Sequence, residues 1–475
     1  MNKTGGLGMR SKCVVWALAL AVAVMVPLGA ASGAPAIVEA ARQKNKERVR
    51  TLIKGGANVR APQGDGATAL HWAAHWDDLE MAELLLAAGA DVKATNDLGA
   101  TPLWLACLNG SMRMAERLLN AGADANAALK TGETPLMTAA RSGRSDVVKV
   151  LVAHRANVNA SEALRGQTAL MWASAQQHPD VVKTLLEVGA SVGARSRARR
   201  PLVNTANNAD YSGVIEVEQG GYTPLLFAAR MGDVDSGRLL LENGADLNDK
   251  APLGTSALVI AAHSGHRAFA ELLLEKGADP NAMDAGYGAL HIAVQRGDTE
   301  LVKSLLARGA DPNAYILRGS PTRRVSADIA ISSYSIGATP LWLAASQGRA
   351  DLVRLLAAKG ASVRIDKDGT PAVVEAVATN EQRSLDTIKA LLELGADVDA
   401  RDKVGNTALH AAAYRGFATI VQALADAGAS LKVRNRKGQT PLGYGLNEPS
   451  QMTFRGGPID RTPALEVLRK LGASE

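Results

Sequence analysis

Thr68, Thr101 and Thr134 stand 33 residues apart, and each opens a stretch of the same design. A fixed period of this length constrains the chain more than its composition does. Every copy must adopt one local structure, and a unit so short buries its apolar face only against its neighbours. The copy from Thr68 to Ala100 reads TALHWAAHWDDLEMAELLLAAGADVKATNDLGA. Thr68 can cap a first helix whose Leu70, Ala73 and Ala74 recur at helical spacing. Asp77 and Asp78 interrupt that helix, and Asp78 and Glu80 suit the positive N-terminus of a second one. Leu84, Leu85 and Leu86 are expected to give the second helix its buried face. Gly89 supplies a left-handed stop, and the turn formers from Ala90 to Gly99 project as a finger before Thr101 starts the next copy.

The same elements recur together along the chain. Openings stand at Thr101-Pro102-Leu103, Thr134-Pro135-Leu136 and Thr168-Ala169-Leu170, then at Thr223, Ser256, Gly288, Thr339, Thr370, Thr407 and Thr440. Closing GAD or GAS triplets follow at Gly89, Gly122, Gly189, Gly244, Gly277, Gly309, Gly360, Gly395 and Gly428. A 33-residue period with TPLH-like openings resembles the ankyrin repeat. The resemblance covers nearly everything after residue 34 and implies an all-α repeat solenoid of about twelve repeats, each a pair of antiparallel helices with a projecting hairpin-like finger. A solenoid has no central core to outgrow, so one continuous domain is expected although the length alone suggests more. Residues 34–67 read as an N-terminal capping repeat, 68–439 as the repeats proper and 440–475 as a C-terminal cap. In the first of these, Arg42, Lys44, Lys46, Arg48 and Arg50 form a charge run that suits a solvated outer face.

Residues 1–31 read as a signal peptide or signal anchor. Lys3, Arg10 and Lys12 precede an uncharged apolar run from Cys13 to Val26, and small residues surround Ala31. The run is short for a membrane span and Pro27 breaks it, so cleavage is expected and a membrane enters only through an uncleaved leader. Both versions place the repeats outside the cytoplasm, periplasmic or secreted, in an exported and bacterial setting. Removing residues 1–31 takes three basic residues and no acid, leaving a formal charge of +3. That is too weak a bias for a nucleic-acid partner, which needs a concentrated basic stripe. Cys13 lies in the leader and Cys107 stands alone, so no disulfide framework exists and Cys107 reads as a buried thiol.

Two stretches break the period. Between Val192 and Gly221 the finger of the repeat opened by Thr168 is lengthened, at about 195–220, by RSRARRPLVNTANNADYSGVIEVEQGG, which groups Arg195, Arg197, Arg199 and Arg200 ahead of a strand-like Val214 to Val217. A second insertion, 315–337, occupies the same place three repeats later and carries Arg318, Arg323, Arg324 and Tyr334. Both must loop out, because the period resumes in register after each. The repeat opened by Thr370 is slightly long, with its extra length expected near Thr379 to Ser384 between the helices.

No Walker A loop, HExxH, GxSxG or CxxC occurs, so no sequence-readable catalytic frame is present, no cofactor is implied and the chain does not read as an enzyme. His71 and His75 have permissible spacing for a metal pair but no third ligand, and no metal is expected. The resemblance instead gives His71, His291 and His410 the role of tying adjacent repeats together. Asp233 with Asp235, and Asp298 with Glu300, sit at second-helix starts, where capping accounts for them. The resemblance also places the residue after each TPLH-like element on the variable concave face. These are Trp72, Leu105, Thr138, Trp172, Phe227, Ile260, Ile292, Leu343, Val374, Ala411 and Tyr444, with Trp76 further round its helix. They read either as packing or as an apolar groove with aromatic anchors, in which Trp72 and Trp172 are expected to be accessible. Trp104 and Trp342 occupy the His position and read as structural.

The function expected is a non-catalytic, monomeric scaffold that binds a protein partner through its concave face and fingers. The groove supplies Trp72, Trp76, Leu105, Trp172, Phe227, Ile260, Ile292, Leu343 and Tyr444, and the fingers supply Arg195, Arg197, Arg199, Arg200, Arg323 and Arg324. The alternatives are an exported enzyme or ligand carrier with a site under the insertions, and a secreted effector acting on host proteins.

Overall fold

The computed structural model describes residues 34–200, 202–204, 214–216, 219–319, 332–364, 366–378, 380–447 and 459–475. The leader, Arg323, Arg324 and the middle of both insertions lie outside the described residues. The fold is an all-α repeat solenoid of helix pairs joined by fingers. The chain divides into two compact units, one ending at Asp124 and one beginning at Ala125.

The first unit holds α1 (Ala36–Arg42), α2 (Lys46–Lys54), α3 (Ala69–His75), α4 (Leu79–Ala87), α5 (Pro102–Asn109) and α6 (Met112–Asn120). First helices α1, α3 and α5 pack side by side, and each packs on its own second helix. Asp78 caps α4 by accepting from Met81 N at 3.1 Å. The buried stripe of α4 is Met81, Ala82 and Leu85, whereas Leu84 and Leu86 are half-buried. This corrects the expected face: three consecutive residues span most of a helical turn and cannot share one side. The capping charge run is solvated and paired, with Arg42 on Glu39 at 2.7 Å, Lys46 on Glu80 at 2.9 Å and Arg50 on Glu47 at 2.8 Å.

The second unit continues with α7 (Pro135–Arg141), α8 (Ser145–Ala153), α9 (Ala169–Ala175), α10 (Pro179–Glu187), α11 (Pro224–Met231), α12 (Val234–Glu242), α13 (Ala257–Ser264), α14 (Arg267–Glu275), α15 (Ala289–Arg296) and α16 (Thr299–Ala307). It closes with α17 (Pro340–Ser346), α18 (Ala350–Ala357), α19 (Ala372–Glu375), α20 (Glu381–Glu393), α21 (Ala408–Arg415), α22 (Ala418–Asp426), α23 (Pro441–Asn447) and α24 (Thr462–Lys470). First helices α9 and α11 pack together across the first insertion, as α15 and α17 do across the second. The insertions therefore leave the stack intact. The first folds back as an antiparallel ribbon of β1 (Leu202–Asn204) and β2 (Val214–Glu216), with Val203 opposite Ile215. The extra residues of the repeat opened by Thr370 lie within α20, which runs 13 residues and is capped by Asn380 accepting from Arg383 N at 3.0 Å. They do not form the inter-helix loop expected there, because Asn380 starts the helix early and Ser384 is already buried in it.

Three devices hold adjacent repeats of the second unit in register. Asn159 Nδ2 donates to Gly189 O at 3.2 Å while its Oδ1 accepts from Ser191 N at 2.8 Å. Asn126, Asn281 and Asn313 make the same two-bond tie to the repeat that follows each. Side chains at the inter-helix turns reach back to the end of the preceding first helix, as when His266 Nε2 donates to Arg230 O at 3.1 Å. This satisfies a carbonyl that the helix itself leaves unpaired. Gly232 (φ +72°) is required there twice over, because a Cβ would sit 2.4 Å from the His266 ring. Finally, Gly237 leaves room for Phe269 of the next repeat, whose ring carbon would lie 2.5 Å from an added Cβ.

Candidate partner-binding surfaces

In the first unit Trp72 is 7% exposed. Its ring stacks on Trp76 at 6.1 Å and its Nε1 donates to Gln63 Oε1 at 3.2 Å. The expectation of an accessible Trp72 is thereby corrected, since a neighbouring indole and a finger side chain cover it. Trp76 is the open aromatic, 36% exposed, with Lys44 Nζ 4.0 Å above its ring and its own Nε1 on Arg42 O at 3.2 Å. Leu105 is half-buried. His71 Nδ1 accepts from Thr68 N at 3.1 Å and its Nε2 donates to Ala100 O at 3.0 Å. Both nitrogens are used, so it offers no lone pair to a metal, and burial lowers its pKa. Among the described residues no cluster of three His, Cys, Asp or Glu could hold a metal ion. Cys107 is fully buried, and burial pushes its thiol pKa up.

In the second unit the row after the TPLH-like elements splits. Thr138, Ile260, Ile292, Leu343 and Val374 are buried, whereas Trp172, Phe227, Ala411 and Tyr444 are half-buried. The expected apolar groove is therefore interrupted. First helices stand close enough that a branched aliphatic side chain at this position is covered by the adjacent helices, and the bulkier Trp172, Phe227 and Tyr444 are not wholly covered. Arg141 lies 4.9 Å over the Trp172 ring and pairs at 3.2 Å with Glu133, a buried carboxylate that also accepts from Thr138 Oγ1 at 2.8 Å. Trp342 holds the structural role expected of it by donating from Nε1 to Thr370 O at 3.1 Å, and Trp104 is buried in the first unit.

The arginines of the first insertion have unequal roles. Arg195 pairs with Asp249, whose carboxylate is 4% exposed, and donates to Gly221 O at 2.9 Å and Lys250 O at 3.1 Å. Asp249 in turn accepts from Thr223 Oγ1 at 2.6 Å and Lys250 N at 2.8 Å. Arg195 is thus a bracket between consecutive fingers while its side chain stays half exposed. Arg197 donates to Ala163 O at 2.7 Å, Arg199 pairs through its backbone with Gln219 at 2.7 Å, and all four arginines are exposed. Arg195→Ser should destabilise the second unit by about 2 kcal/mol, because it takes the cation from a buried carboxylate and leaves it only two neutral donors. Arg199→Ser, which removes no backbone bond, should cost under about 0.5 kcal/mol. Urea midpoints of the two variants check this, and equal shifts would refute it.

The second insertion carries what the sequence did not reveal. Its two legs are pinned by Ile316 N to Ala338 O at 3.0 Å and Gly337 N to Ile316 O at 2.7 Å. One pinned leg carries exposed Tyr315 (46%) and Leu317 (66%), and the other carries exposed Tyr334 (60%) and Ile336 (40%). Tyr334 Oη donates to Glu375 Oε2 at 3.2 Å, and Lys367, 7% exposed, places Nζ 4.6 Å over the Tyr334 ring and 5.3 Å over Trp342. Burial raises the Glu375 pKa despite the Tyr334 bond, and burial with the Glu375 charge pushes Tyr334 up to about 12. A tyrosine inside an insertion gave no signal of a partner 41 residues away.

Sequence comparison adds a family. A model described as ankyrin repeats (3 copies) matches residues 14–96, 37–129, 87–162, 103–196, 246–316, 325–402 and 377–451, and an ankyrin repeat model matches 220–251. Among curated relatives, B-cell lymphoma 3 protein homolog from Mus musculus is 35% identical over 25% of this chain and 26% of its own length. Ankyrin repeat and SOCS box protein 11 from Homo sapiens is 34% identical over 28% of this chain and 40% of its own length. The alignments thus span well under half of those relatives. A crystal structure of the human ASB11 ankyrin repeat domain matches with a TM-score of 0.42 and 31% identity, covering 51% of this chain and 98% of that one.

Proposed function

Because this chain belongs to the ankyrin-repeat family, we propose that it is a non-catalytic scaffold that binds a protein partner outside the cytoplasm. The observation that carries this is the exposure of Tyr315, Leu317, Tyr334 and Ile336 on the two legs of the second insertion, which backbone bonds pin together and Glu375 braces through Tyr334. Aromatic and aliphatic side chains exposed together on a braced loop are the chemistry of an interface anchor. Trp172 and Phe227 retain exposure for contact in the second unit, and Trp76 and Leu105 retain it separately in the first. Trp72 in the first unit and Ile260, Ile292 and Leu343 in the second are buried and serve packing, whereas Tyr444 of the second unit is half-buried. Arg197, Arg199 and Arg200 are exposed and offer charge for contact, and Arg323 and Arg324 add to it in the sequence of the second insertion.

The location rests on residues 1–31 alone, and so does a bacterial source, since the relatives named above are mammalian. Among the described residues no helix is long and apolar enough to cross a membrane. One experiment in the native host tests both parts. A photocrosslinking residue at Leu317 should yield a partner adduct that the same residue at exposed Lys183 does not, and Tyr315→Ser with Leu317→Ser should lower the yield about 30-fold or more. The recovered chain should begin between about Ser32 and Ala36. Equal adducts at both positions would remove the surface assigned here, and a cytoplasmic chain beginning at Met1 would remove the location.

A further inference from the structure

The finger of the last regular repeat is the second strongly basic one. Lys432, Arg434, Arg436 and Lys437 are all exposed and stand among no acidic residues from Gly428 to Gln439. Arg436 N donates to Val404 O at 2.9 Å, and Asn435 Nδ2 donates to Asn406 Oδ1 at 2.9 Å. These bonds set the tip directly against the preceding one, which adds exposed Arg401 and Lys403. The preceding tip also carries Asp397, Asp399 and Asp402, so the six cations exceed its carboxylates by three, and each of the three accepts backbone N–H bonds, Asp397 from Asp399 N at 3.0 Å. Asp402 accepts from Val404 N at 2.9 Å and Asn406 N at 2.8 Å, and Asp399 accepts from Ser430 N at 3.0 Å. Arg434 is tethered, with Nη1 on Gly438 O at 2.5 Å and Nη2 on Glu475 O at 3.2 Å. Val404, 48% exposed, sits amid the cations.

We propose that these paired finger tips, residues 397–406 and 430–439, dock an acidic, extended peptide segment. The inference rests on the reading of the chain as a protein-binding scaffold and gives it a second contact with a stated partner chemistry. Six cations on two braced tips attract a run of carboxylates. The apolar group among them is aliphatic, and no aromatic ring lies between 397 and 406 or between 430 and 439, so nucleobases find no stacking platform. Stacked repeats are spaced by about 10 Å. An extended peptide rises about 3.3 Å per residue, so carboxylates three residues apart reach neighbouring tips while an intervening leucine meets Val404.

The test is fluorescence anisotropy of the full chain with a labelled synthetic peptide of glutamates around one leucine, and with its glutamine counterpart. The glutamate peptide should bind, weakening as salt rises, and the glutamine peptide should not. Lys432→Glu with Arg436→Glu should raise Kd about tenfold or more, and the neutral pair Lys432→Gln with Arg436→Gln should raise it less. Lys183→Glu with Arg238→Glu, the same charge change on exposed second-helix positions, should leave it unchanged. Equal loss in both charge-reversal pairs would show attraction by net charge and overturn the site. Duplex DNA displacing the peptide at equal or lower concentration would overturn the partner class. Peptide binding that persists in the Tyr315→Ser with Leu317→Ser variant separates this contact from the insertion's, so either can fail alone.

Discussion

Bringing the protein from pH 7 to pH 5 should cost the second unit about 2 kcal/mol through His291 alone, rising to about 3 kcal/mol near pH 4. The His291 Nδ1 accepts from Gly288 N at 3.2 Å and its Nε2 donates to Ala314 O at 2.9 Å, so a second proton would point at a donor. Burial lowers its pKa to about 4 from the ordinary 6.5. A histidine with a lowered folded pKa contributes its full stability above pH 6.5 and loses it as pH falls toward about 4. His410 shifts in the same direction. Glu375, whose pKa is raised, favours the folded state more as pH falls and so opposes them. The clean readout is therefore a difference. Urea midpoints of the parent and of His291→Gln, measured from pH 7 to pH 5, should converge as the pH drops. Parallel curves would show that His291 is not the titrating group.

Leu85→Ala should destabilise the first unit by about 2 to 5 kcal/mol, because Leu85 is fully buried on the inner face of α4 and a cavity remains where it was. Repeats contact only their neighbours, so the loss should be local. Hydrogen exchange should accelerate first in residues 68–120, while amides near Leu391 and Leu424 of the second unit keep their protection. Uniform acceleration along the whole chain would indicate a single cooperative core instead.

The period made the repeat legible because it reports backbone requirements. The threonine openings cap first helices, with Thr101 accepting from Trp104 N at 3.1 Å, and Asp298 caps a second helix by accepting from Leu301 N at 3.1 Å. The histidine ties were legible only through resemblance to a family. Exposure was not legible. Whether Trp72 is covered depends on Gln63 and Trp76 as placed in three dimensions, and periodicity gives each position without its cover. Charge misled in the same way: Arg195 reads as one of four surface arginines, yet its carboxylate partner lies 54 residues on. The basic finger from Lys432 to Lys437 falls inside a regular repeat, so no break in the period marks it.

The asparagine tie at Asn313 has a further consequence. Its side chain bonds to Gly360 O at 2.9 Å and Ser362 N at 2.8 Å, thereby clamping the chain on both sides of the second insertion. Arg349 Nη2 does the same between the helices by reaching Thr299 Oγ1 at 3.0 Å. The scaffold therefore takes part of its dimensions from bonds that bypass residues 315–337, while the legs of the insertion, with Ile316 1% exposed, are packed against it. An unrelated recognition loop joined to Gly319 and Ser332 would inherit the same fixed mount.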